Sequence, residues 1–141
     1  MMNILKKPYV QFSFSNPNSE KQTMDIKADI GFYFANIPES NGTFTYYIPC
    51  FDICYSVSSK EDGRLIANSA VSAFIQFWIR EKGIDLFIRH LRTIGFNPEG
   101  DIWVNVLSNK SFNRKFKGGN IVSPKSFQNV EMHFSEMALA S

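Results

Sequence analysis

The chain has 141 residues, 14 of them Phe, with 44% hydrophobic and 20% charged residues and a formal charge of +2. That length and apolar content suit one folded domain, 1–141, with its own core, and exclude disorder over most of the chain. A net charge this small does not by itself imply a nucleic-acid or membrane partner. Its distribution is uneven: residues 1–101 carry 10 Lys and Arg against 11 Asp and Glu, whereas residues 102–141 carry 5 against 2.

"YVQFSFS" (Tyr9–Ser15) alternates, placing Val10, Phe12 and Phe14 on one side of a strand. The polar run Asn16–Gln22 reads as a loop. Met24–Ile37 follows as one longer strand. Met24, Ile26, Ala28, Ile30, Phe32 and Phe34 form its apolar face, and Asp25, Lys27, Asp29 and Gly31 its solvated face. Pro38–Gly42 is a hairpin turn, because Asn41-Gly42 supplies the positive φ angles such turns require. Gly42–Val57 is then the return strand.

From Lys60 the apolar period becomes helical. Ile66, Ala70, Ala73, Phe74 and Phe77 share a face, widened by Val71, Ile75 and Trp78, which predicts a well-buried helix ending at Gly83. A second, short helix runs from Ile84 to Gly95, with Arg89, His90 and Arg92 suiting its C-terminal dipole. After the turn Asn97–Asp101, strands are expected at Ile102–Ser108 and Phe127–Met137. The order β-β-β-α-α-β-β defines an α+β class: an antiparallel sheet of three to five strands with two helices packed on one face.

The chemistry-bearing residues are few. Cys50 and Cys54 lie on one side of the expected return strand, with α-carbons roughly 13 Å apart. A disulfide needs about 4.4–6.8 Å, so a bond would require the strand to fold back at Pro49. No further Cys or His lies nearby at ligand spacing, so no metal is expected, and without a P-loop or Rossmann fingerprint no other cofactor is expected. The thiols read as structural. His90 and His133 sit in unrelated elements, and a Cys/His enzyme is a rival reading, because such partners meet only in the fold. Asp25 and Asp29 read as part of a solvated sheet face. No catalytic residue is assigned.

The basic segment 109–120 reads as a loop or arm. Lys110, Arg114, Lys115 and Lys117 interleave with Phe112 and Phe116. Cations can hold phosphates while rings stack on bases, so this arm is a candidate contact for nucleic acid or for an acidic partner protein. No run reaches the roughly 18–20 apolar residues of a membrane span. With two cysteines and no export signal, a cytoplasmic setting is expected.

The stretch "NGTFTYYIPCFDICYSVSSKEDGRLIANSAVSAFIQFWI", notably Gly42, Tyr47, Pro49, Phe51 and Ala67-Asn68, resembles the HicB-like antitoxin domain over about residues 28–95. The family's usual Gly-Asp-Thr-type entry to the helix is replaced here by "SVSSKEDGRL". The DNA-binding segment that many members carry is replaced by residues read mainly as strand. The resemblance implies neutralisation of a toxin-like partner protein or a related non-catalytic binding role. Contact through a sheet edge or the basic arm is expected, in a homo-oligomer, because exposed strand edges offer backbone donors and acceptors to another chain. An immunity or accessory interaction protein without a nucleic-acid role is the alternative.

Overall fold

A computed structural model describes residues 6–15, 23–106 and 124–137. It contains β1 (Tyr9–Ser15), β2 (Thr23–Tyr33), β3 (Ala35–Pro38), β4 (Phe44–Ile48), β5 (Ile53–Val57), α1 (Lys60–Lys82), α2 (Ile84–Thr93), β6 (Phe96–Glu99), β7 (Ile102–Asn105) and β8 (Phe127–Met137). A 3-10 turn, Pro124–Ser126, leads into β8. The strands form two antiparallel sheets, β6-β7-β1-β2-β8 and β3-β4-β5. The α+β class and the order of strands and helices are as expected from the sequence.

β2 is the spine. All eleven of its residues pair with β8, from Thr23 opposite Met137 to Tyr33 opposite Phe127, and its other edge pairs with β1. Ile26, Ala28, Ile30 and Phe32 alternate into the core, where they meet Val10, Val71, Ile75, Phe87, Leu91 and Phe96 in one contiguous cluster. Opposite this core, Gly31 leaves room that the rings of Tyr9 and Phe127 occupy. A Cβ there would lie well inside contact distance of both. Tyr33, Ala35, Tyr47 and Phe127 make a smaller apolar cluster of their own.

The expected strand Met24–Ile37 is interrupted at Phe34, so its last residues serve the second sheet as β3. The backbone N–H of Phe34 is satisfied by the carbonyl of Ser126 at 3.1 Å instead of a ladder partner. The hairpin connection forms where expected, but Pro38 closes β3, and of the Asn41-Gly42 pair only Gly42 has a positive φ, at 87°. The Asn41 carboxamide accepts bonds from both the backbone N–H and the hydroxyl of Thr43.

Gly42–Val57 is a hairpin and not one strand. Phe51 N–H donates to the Ile48 carbonyl and Asp52 N–H to that of Pro49, each at 3.3 Å. Proline suits the second position of such a turn, since its ring presets φ and it has no N–H to lose. Asp52 completes the reversal at φ 56°.

Ser59 caps α1, its hydroxyl accepting from the N–H of Asp62, and Glu61 and Asp62 complement the positive helix end. Gly83, at φ 91°, donates to the carbonyls of Ile79 and Trp78 and so closes α1. Its own carbonyl accepts from Phe87 N–H and starts α2. Asn97–Asp101, expected as a turn, holds most of β6 and the β6–β7 hairpin. Pro98 is tolerated in β6 because that strand ends the sheet. The buried Asn105 side chain donates to the Ile94 carbonyl at 3.1 Å, tying the end of α2 to β7.

Candidate functional site

The hairpin separates the two thiols. Cys50 lies buried in the β4–β5 turn, and burial pushes its thiol far above the ordinary range. Cys54 is exposed on β5 opposite Tyr47. Partial burial, then the carboxylates of Asp52 and Glu39, push its thiol up as well. Neither environment favours a thiolate, and both cysteines are free. His90 stacks on Trp78 with ring centroids 4.3 Å apart, and burial lowers its pKa below the ordinary value.

The polar groups on the face of β2 and β8 bond one another. Lys27 lies 3.5 Å from the Glu131 carboxylate, and His133 Nε2 lies 3.1 Å from it. The His133 contact first, then Lys27, holds the Glu131 carboxyl below its usual range. Ser135 donates to Asp25 at 2.9 Å. The Asn129 amide reaches Asp29, the Tyr9 oxygen and the Ile30 carbonyl. A shallow depression of about 530 Å³ lies here, lined in part by Ser13, Ser15, Asp25, Lys27, His133 and Ser135. Among the described residues no group of three or more His, Cys, Asp or Glu is placed to hold a metal ion.

The basic arm, with Lys110, Phe112, Arg114, Lys115, Phe116 and Lys117, lies outside the described residues. No helix among the described residues is long and apolar enough to cross a membrane. The larger sheet ends in β6 and β8, the smaller in β3 and β5, so each sheet offers two strand edges.

The least expected surface is on α1. Ala67, Val71, Ile75 and Ile79 are the arc that faces the core. On one flank Phe74 and Trp78 meet the Phe87 ring of α2. On the other, Asn68 accepts from the Gln128 amide of β8 at 2.9 Å. The expected buried face is therefore rotated. Ile66 is 40% exposed and Phe77 56%, and Ala73 is also exposed. Leu65, one residue before Ile66, is 73% exposed. The helix is apolar on nearly every side through its middle, so its period alone does not say which arc meets the sheet. Contact with the hairpin and with β8 decides it.

The arrangement is thus a two-sheet antiparallel α+β domain with an apolar outer helix face. No family model, curated protein or solved structure matches the chain.

Proposed function

We propose that this chain is a non-enzymatic protein-binding module whose contact surface is the outer face of α1. One observation carries the reading: Leu65, Ile66 and Phe77 project into solvent from a helix whose opposite arc already supplies the core. Leaving large apolar groups in water forgoes roughly 1.5–3 kcal/mol per side chain relative to burying it. A protein surface laid over the face recovers that energy. Neutralisation of a partner protein, the role implied by the HicB-like resemblance, belongs to this class of activity. Service as an immunity or accessory factor belongs to it as well.

The test is affinity capture from nuclease-treated lysate, with wild-type protein beside Phe77→Glu and Leu65→Glu. Both positions are exposed, so the variants are expected to keep the wild-type fold, which a thermal scan checks. A protein retained by the wild type and lost with either variant supports the reading. Capture that ignores both substitutions, or that vanishes with nuclease, overturns it.

A further inference from the structure

The outer stripe of α1 reads Asp62, Ile66, Ser69, Ala73, Phe77 and Arg80, and every one of these residues is exposed. Their spacings of four, three, four, four and three keep them on one side of a 3.6-residue helix. The stripe also has a symmetry. Asp62 and Arg80 lie equally far from the level of Val71 in opposite directions. So do Ser69 and Ala73, and Ile66 and Phe77 very nearly do. From either end the order is a charge, a large apolar group and a small residue, with the two charges opposite in sign.

We infer that this face binds a second copy of the chain, with the two α1 helices antiparallel about a two-fold axis near Val71. In that register Asp62 of each copy meets Arg80 of the other, and Phe77 packs beside Ile66. Ser69 and Ala73 face each other at the centre, where small side chains let helix axes approach to about 8 Å. An isologous contact requires such a self-complementary patch. Asp62 and Arg80 each offset the dipole of their own helix end, so the attraction between the antiparallel helices is carried by the two Asp62–Arg80 pairs themselves. The stripe spans about 27 Å of helix. One helix pair of that length is a modest interface, so the dimer forms and dissociates with concentration.

The inference rests on the protein-binding reading and names its partner; purified protein alone tests it. Sedimentation equilibrium across micromolar to millimolar concentrations is expected to show a monomer–dimer equilibrium that Phe77→Glu abolishes. Asp62→Arg and Arg80→Asp are each expected to weaken the dimer by about tenfold or more, because every dimer then holds two like-charge pairs. The double reversal restores both pairs and is expected to return affinity to near wild type. A thermal scan of each variant confirms the fold. A monomer at every concentration overturns the inference, and so does a dimer indifferent to Phe77→Glu. Failure of the double reversal to rescue an intact fold overturns the antiparallel register. In the first case the face remains open to a different protein, which the lysate capture reads separately.

Discussion

Gly63, in the first turn of α1, lies against the ring of Tyr46, which leaves no space for a side chain at that position. Tyr46 is 1% exposed and stacks between Phe34 and Tyr55, with centroids 5.6 and 5.7 Å away, so it cannot swing aside. The Tyr55 hydroxyl donates to the Gly63 carbonyl at 2.8 Å, fixing the same turn from β5. Closure of the helix onto the small sheet thus depends on the missing Cβ.

Gly63→Ala is therefore expected to reverse the usual helical rule. In an ordinary helix interior the substitution gains about 0.5–1 kcal/mol. Here overpacking against a trapped ring costs about 1–3 kcal/mol. Denaturant unfolding decides the sign, and a midpoint at or above wild type would remove the close approach from the account.

One thiol per native chain is expected to react with a chromogenic disulfide reagent, and two after unfolding. Cys54 is the reactive one, so Cys54→Ser leaves no native reactivity. Because its thiol is pushed up, the rate climbs through the alkaline range with no plateau near neutrality. Two fast thiols at pH 7 would show that the β4–β5 turn opens readily.

Asp52 holds the β4–β5 turn in two ways, through its positive φ and through a 2.7 Å bond accepted from the Tyr47 hydroxyl. Asp52→Ala loses the bond and keeps the strain, at an expected cost of about 1–2 kcal/mol. Asp52→Gly also loses the bond but relaxes the backbone, so it is expected to be the milder change. Equal losses in urea titrations would mean that φ plays no part.

Acidification is expected to weaken the fold through His90. Its native pKa lies below the ordinary 6.5 because burial against Trp78 disfavours the imidazolium. The unfolded chain therefore takes up the proton first. Stability is intact above about pH 6.5 and falls as pH drops through that value toward the native pKa. His90→Phe removes this dependence, so the difference in unfolding midpoint between pH 7.5 and 5.5 should shrink. Titration of the His90 ring by NMR at or above the ordinary value would refute the assignment.

Much of the fold was legible because it is local. The alternation of Tyr9–Ser15, the Asn41-Gly42 turn and the Gly83 stop each mark an element that forms where expected. What escaped was decided at longer range. Pro49 breaks an apolar run that otherwise reads as continuous strand. Its place in a turn, with Asp52 three residues on, was the available signal. β6 has four residues and contains Pro98, too little for a period to register. The outer stripe of α1 was hidden because residues 65–79 supply apolar groups to both arcs. Only the partners of Asn68, Phe74 and Trp78 tell inside from outside.

The pairing of β2 with β8 also governs how the chain must be made. Asp25 and its partner Ser135 are 110 positions apart, so the spine of the sheet emerges from the ribosome long before the strand that covers its edge. Closing so wide a loop is slow, and meanwhile β2 presents an open edge to other nascent chains. Asp25, Lys27 and Asp29, spaced at every second residue, put charge on each turn of the pleat along that edge. Charges so spaced oppose strand-to-strand aggregation. On this view the solvated face of β2 protects the chain during its synthesis.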